Sequence, residues 1–246
     1  MELLLLSNST NYGGSMFSHA AEAFAGVSAG DVVTFVPYAL ANWDDYADRA
    51  TAALGAFGID VVSAHRFSAP DAAILRAKVL MMGGGNTFRL LDSLYALDVI
   101  EALSRRVREG DTRYVGASAG TNVACPTIRT TNDMPICRPP SFKALGLLPF
   151  QINLHYIDPD PASMFMGETR EERIDEFLEE NDCPVLGLYE GSWLRVSGNK
   201  AEVTGRARLF QRTGSDIYCD GLDVSELLYS TPTFDGGRRP KPGGST

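Results

Sequence analysis

The sequence predicts an α/β domain: three layers, a mainly parallel sheet with helices on both faces. Three observations carry that expectation. Short aliphatic and β-branched runs alternate with stretches of helical apolar spacing as far as residue 118, the order expected of parallel strands joined by crossover helices. Two of the strands run into glycine-rich turns, Gly83-Gly84-Gly85 and the turn between Gly116 and Gly120. The chain of 246 residues, 44% hydrophobic and 22% charged, is long enough to bury one sizeable core.

Taken in order, residues 2–6 read as a buried first strand, 7–14 as a loop and 15–25 as a helix. Residues 32–37 form a second strand. Asn42 caps a helix running to Phe57, with Tyr46, Ala50, Ala53, Leu54 and Phe57 at helical spacing. A third strand spans 59–64 and a short helix 70–76. The fourth strand, 78–82, leads into Gly83-Gly84-Gly85-Asn86 and a helix carrying Phe88, Leu90, Leu91, Leu94 and Leu97. A helix over 99–109 precedes the strand and turn around Ser118. Residues 125–135 lack apolar periodicity, and a loop of that length inside a compact domain is commonly functional. An apolar segment spans 147–155, a charged helix 168–180 and a buried strand 185–189. Short antiparallel strands follow at 193–196, 201–204, 207–210 and 216–219. One domain is expected over 1–234, with 235–246 a Gly-, Pro- and Arg-rich disordered tail.

The formal net charge of −9 and pI of about 4.8 disfavour nucleic-acid binding, which needs clustered cations. No run approaches a membrane span, and residues 1–7 lack the basic and long apolar regions of a secretory signal. A soluble, cytoplasmic protein is expected. Cys125, Cys137, Cys183 and Cys219 have neither C-x-x-C spacing nor histidine partners, so they are expected to be free thiols rather than zinc ligands.

The segment Gly116-Ala117-Ser118-Ala119-Gly120 is a G-x-S-x-G pattern between strand and helix. Such a turn exposes a serine hydroxyl beyond the sheet and aims a helix N-terminus at it, although a plain glycine-rich turn has the same residues. A nucleophilic serine needs a base, and only His19, His65 and His155 are available. His155, at the end of an apolar segment after the turn, is favoured. Glu190, at a strand end before a glycine, is a candidate to orient it, with Asp133 as a rival. Oxyanion donors are expected from the Ala119 amide and from the loop 83–86. That loop lacks the Lys-Ser/Thr of a Walker A motif, which argues against a nucleotide.

Longer blocks then carry a resemblance: residues 1–10, 83–88, 118–120 and 167–171, Gln151-Ile152-Asn153 with His155, and above all the thirteen residues 124–136. The sequence resembles peptidase family S51, the serine peptidases that include the aspartyl dipeptidase peptidase E and cyanophycinase. The resemblance runs to about Val203. It implies a flavodoxin-like fold, like that of class I glutamine amidotransferases, with serine in place of their cysteine. It implies a Ser118–His155–Glu190 triad, Gly85 and Ala119 as oxyanion donors, a role for Asp133 in activity, no metal or other cofactor, and an Asp-X dipeptide as substrate. Ala117, Leu154 and Tyr156 depart from the family pattern around the nucleophile and base.

A substrate aspartate calls for a cation that reads a carboxylate bidentately. Arg170 is the first candidate and Arg129 the second. Asp133 or Glu168 is a candidate for the substrate α-amino group, and Asn86 a further contact. Two rivals stay open: a cyanophycinase-like peptidase acting on β-aspartyl-arginine, and a catalytically silent aspartyl-peptide-binding protein. Monomer and homodimer are both compatible with the sequence.

Overall fold

Leucines fill positions 3 to 6 of the first strand, β1 (Glu2–Leu6), and all four are buried. Leu3 and Leu5 pack into one apolar core, Leu4 and Leu6 into another. A strand buried on both faces reads as a continuous apolar run, and that is the signature of a sheet covered on both sides. The computed structural model describes residues 1–27, 30–160, 162, 164, 166–218 and 221–235. The tail expected at 235–246 lies, beyond Asp235, outside the described residues, as does Cys219.

The crossover half follows the expected order: α1 (Ala21–Phe24), β2 (Val33–Val36), α2 (Trp43–Gly55), β3 (Val61–Ser63), α3 (Pro70–Arg76), β4 (Val79–Met82), α4 (Thr87–Ala96), α5 (Ile100–Glu109), β5 (Arg113–Ala117) and α6 (Ala119–Asn122). Asn42 caps α2 as expected, its side chain accepting the Asp45 amide. The helix expected over 15–25 is broken. Phe17 adopts a left-handed φ of 61°, so a 3₁₀ turn at Ser18–Ala20 precedes the four-residue α1. Phe17 is fully buried in the second core, and its packing overrides helical periodicity there.

After α6 come β6 (Gln151–Tyr156), α7 (Arg170–Glu180), β7 (Val185–Tyr189), β8 (Trp193–Ser197), β9 (Lys200–Thr204), β10 (Ala207–Gln211), β11 (Gly214–Tyr218) and β12 (Leu222–Asp223). Thr169 and Glu172 form a reciprocal capping box at the start of α7. The strands divide between two sheets. The large one has the order β12-β9-β8-β1-β5-β4-β2-β3, parallel from β1 to β3 and antiparallel from β1 outward through β8 to β12. The small one has the order β11-β10-β7-β6, with β6 and β7 parallel.

One face of the small sheet, with Ile152, Leu154, Leu186 and Leu188, packs into the core that holds α4 and α5. Its other face, with Tyr156, Val185 and Phe210, lies under Ile174 and Leu178 of α7. The C-terminal ends of β1, β5, β6 and β7 thereby meet at the joint between the sheets.

Candidate active site

The elbow after β5 is built by steric exclusion. Ser118 holds φ 51° and ψ −113°, a backbone state that costs a non-glycine residue about 1–3 kcal/mol. A side chain on Gly120 would overlap the Met82 carbonyl oxygen, so only glycine lets α6 sit this close to β4. The turn is tied down on several sides. The Ser118 N–H donates to the Leu6 carbonyl at 3.1 Å, the Thr121 hydroxyl to the same oxygen at 2.8 Å, and the Tyr114 hydroxyl to the Gly120 carbonyl at 2.6 Å.

From the small sheet, His155 brings Nε2 to 2.9 Å from Ser118 Oγ. Its Nδ1 lies 2.8 Å from Glu190 Oε1. Serine, imidazole and carboxylate thus form one hydrogen-bonded chain. His155 also has a left-handed φ, 51°. His19 makes no bond to this chain: both its ring nitrogens are buried without a partner. Burial lowers its pKa, opposed by the charge of Glu190. His65 is engaged elsewhere, with Ser63 and Asp44.

The glycine loop after β4 leans against the serine. A side chain on Gly84 would stand 3.1 Å from Ser118 Cβ, and one on Gly85, at φ 135°, would stand 2.6 Å from the Ala39 carbonyl oxygen. The Tyr46 hydroxyl packs under the same loop, 2.6 Å from where a side chain on Gly83 would begin, and burial pushes its pKa up to about 12. The amides of Gly85 and Ala119 have no hydrogen-bond partner among the described residues. Ser118, His155, Gly85, Tyr46, Leu40 and Asn8 line a cleft of ≈ 780 Å³.

Arg170, at the first turn of α7, has a buried Nε with no partner. Burial is the main influence lowering its pKa and Arg173 adds to it, while the charges of Asp133 and Glu190 act the other way. Arg170 therefore feels the charge of Glu190 and keeps its Nε donor unspent. Arg129, the second candidate, is placed differently. Its guanidinium is held by Asp235 at 2.8 and 3.1 Å and by Asn181 at 3.3 Å, and lies over the Phe234 ring.

The remaining candidates are tied into the scaffold. Asp133 Oδ2 accepts from the Thr87 amide at 2.8 Å, the Thr87 hydroxyl at 2.5 Å and the Thr131 hydroxyl at 3.2 Å. It fastens the 125–135 loop to the start of α4. Asn86 caps that helix through Arg89 N–H and donates to the Met134 carbonyl at 2.8 Å. Glu168 pairs with Arg173 at 3.4 Å, with both side chains more than half exposed.

Comparison with known proteins identifies the family. A peptidase E from Streptomyces coelicolor is 55% identical over 243 residues, covering 97% of this chain and all of that one. A Drosophila melanogaster protein named "Probable alpha-aspartyl dipeptidase" is 44% identical over 218 residues, covering 86% of this chain and 90% of its own. A solved peptidase from an acI-B1 Actinobacterium, 12% identical, shares the fold with a TM-score of 0.64 over 91% of this chain and 96% of that one. The sequence model of Peptidase family S51 matches residues 3–204, and the chain belongs to that family.

Proposed function

We propose that this protein is a serine-type dipeptidase that hydrolyses Asp-X dipeptides through an acyl-enzyme. The observation that carries the reading is the continuous chain Ser118–His155–Glu190 beside two unspent amides. In the first step Ser118 Oγ attacks the peptide carbonyl while His155 Nε2 takes its proton. The carbonyl oxygen, now anionic, accepts from the amides of Gly85 and Ala119. Collapse of the intermediate breaks the C–N bond, and His155 returns the proton to the leaving amine. Water, deprotonated by His155, then attacks the ester and frees Ser118. Glu190 holds the imidazole tautomer and balances the imidazolium charge in each half-reaction.

Selection of aspartate is assigned to Arg170. A half-buried guanidinium with an unspent Nε donor suits a carboxylate better than one already committed, as Arg129 is. The name of the Drosophila relative points to the same substrate class. The cleft, which Arg170 does not line, is left for the second residue.

A substrate panel tests the reading: Asp-Leu, Ala-Leu and β-aspartyl-arginine, with labelling by a phosphonylating probe. Hydrolysis of Asp-Leu at least about tenfold above Ala-Leu is expected, together with covalent labelling of Ser118. Preference for the β-linked substrate would transfer the assignment to a cyanophycinase-like activity. Tight binding of Asp-Leu without labelling or turnover would leave a silent binding protein.

A further inference from the structure

The small sheet contains an irregularity at the catalytic base. Its parallel ladder runs Gln151 opposite Val185, Ile152 opposite Leu186 and Asn153 opposite Gly187, then resumes with Tyr156 opposite Tyr189. Between those points two residues, Leu154 and His155, face one, Leu188. Such a bulge re-aims a side chain at the expense of a gap in the ladder. Here the gap is bridged by a residue from the other sheet. The His155 N–H donates to Ser7 Oγ at 3.0 Å, and the Ser7 hydroxyl donates to the Leu188 carbonyl at 2.9 Å. The hydroxyl group occupies the place of a cross-strand hydrogen bond.

Ser7 is suited to that place. It follows β1 directly, is 0% exposed, and its own N–H donates to the Ser192 carbonyl at 3.0 Å. The other side of the bulge is satisfied as well, because the Asn132 side chain donates to the Leu154 carbonyl at 2.8 Å. The neighbours of Ser7 complete the pattern: the Leu6 carbonyl accepts the Ser118 amide, and Asn8 Oδ1 accepts the amide of Gly191, beside Glu190, at 2.8 Å. Three consecutive residues at the end of β1 hold the three strand ends that carry nucleophile, base and acid.

We propose that Ser7 is a positioning residue for the hydrolysis, its hydroxyl holding open the bulge that turns His155 toward Ser118. The inference rests on the triad reading above. Without the hydroxyl, the His155 N–H loses its partner, or the ladder closes by one residue. A one-residue slip sends a strand's side chains to the opposite face, and an unpaired backbone donor is costly enough to drive the rearrangement. Either outcome moves Nε2 off the serine.

The test compares full-length Ser7→Ala, Ser7→Cys and Ser7→Thr with the parent. Readouts are kcat and KM for Asp-Leu and the imidazole N–H proton resonance of His155, assigned with His155→Ala. Ser7→Ala is expected to lower kcat about 10- to 10²-fold, the scale of a 1 Å misplacement, with KM changed by less than about twofold. Ser7→Cys, whose thiol is a weak donor and acceptor, should fall with it, and stands in for Ser7→Ala if that variant does not fold. Ser7→Thr keeps the hydroxyl and should retain most of kcat. In the Ala and Cys variants the His155 resonance should shift or broaden. A folded Ala or Cys variant with parental kcat and an unmoved resonance overturns the proposal, as does a folded Thr variant as slow as Ala. If Ser118→Ala still turns over, the triad reading fails, and the His155 resonance alone then decides the role of Ser7.

Discussion

At the end of β3, Ser63 Oγ lies 2.7 Å from His65 Nδ1, and His65 Nε2 lies 3.0 Å from Asp44 Oδ1. At the joint between the sheets, Ser118 Oγ lies 2.9 Å from His155 Nε2, and His155 Nδ1 lies 2.8 Å from Glu190. By residue type and distance the two chains are nearly the same object. Their surroundings separate them. Ser63 has extended backbone, φ −101° and ψ 132°, is 4% exposed, and is 3.3 Å from the Phe35 carbonyl, to which it donates. Asp44 is 76% exposed and shared with Arg66. Ser118 sits on a strained elbow in a cleft, beside two amides with nothing to bind. A triad is defined less by its three side chains than by whether a carbonyl can reach the oxygen and find donors waiting.

Paired substitutions make that contrast measurable. Ser118→Ala is expected to lower kcat for Asp-Leu by about 10⁴- to 10⁶-fold, whereas Ser63→Ala should leave kcat within about twofold and reduce thermal stability by about 1 kcal/mol, the worth of a buried hydrogen bond. Steady-state kinetics with a thermal melt checks both. A Ser63 variant as inactive as Ser118→Ala would erase the distinction.

A second pair contrasts the arginines. Arg170→Ala should cut kcat/KM for Asp-Leu by about 10- to 10²-fold, the worth of a charge-assisted bond, and leave Ala-Leu nearly unchanged. Arg129→Ala should preserve the Asp-Leu to Ala-Leu ratio and lower only the melting temperature, because its partners are Asp235 and Asn181. Equal loss of selectivity in both variants would sink the assignment to Arg170.

The smallest expected effect concerns pH. The hydrogen bonds from His65 first, and from Arg66 second, hold the Asp44 carboxyl below its usual 3.8. A depressed carboxylate pKa stabilises the fold above the unfolded value, and that contribution fades as pH falls through the lower folded one. The melting temperatures of parent and Asp44→Asn should therefore differ slightly near neutrality and converge in acid below 3.8. A constant difference across that range would show that the charge is not responsible.

Much of this arrangement was legible in the sequence because it is local. The Pro70 to Arg76 helix, the Asn42 cap and the strand from Val185 to Tyr189 all stand where turn chemistry and periodicity place them. Ser118 is marked by its flanking glycines, and the specificity of residues 124–136 carried the family assignment. Long-range placement was not legible. Nothing local in the C-terminal strands tells that β8 and β9 join β1 while β10 joins β7. Periodicity predicted a helix through Phe17 because it does not register a residue forced left-handed by its core packing. Asp133 and Asn86 have the chemistry of ligands, and only the structure shows them fastening a loop to α4. Ser7 lies in the block 1–10 that carries the resemblance, but nothing there marks it as a contact of His155, since it binds backbone groups of residues 155 and 188.

Ser118 follows a strand of one sheet, while His155 and Glu190 stand at strand ends of the other, and the proposed mechanism makes them nucleophile, base and acid. Activity in this molecule is therefore a strain gauge on a seam. A shift of about an ångström between the sheets, too small to disturb either hydrogen-bonded ladder, is enough to part Oγ from Nε2. Secondary structure can persist after such a shift while turnover stops, so mild denaturant or heat will silence the enzyme before it unfolds the chain.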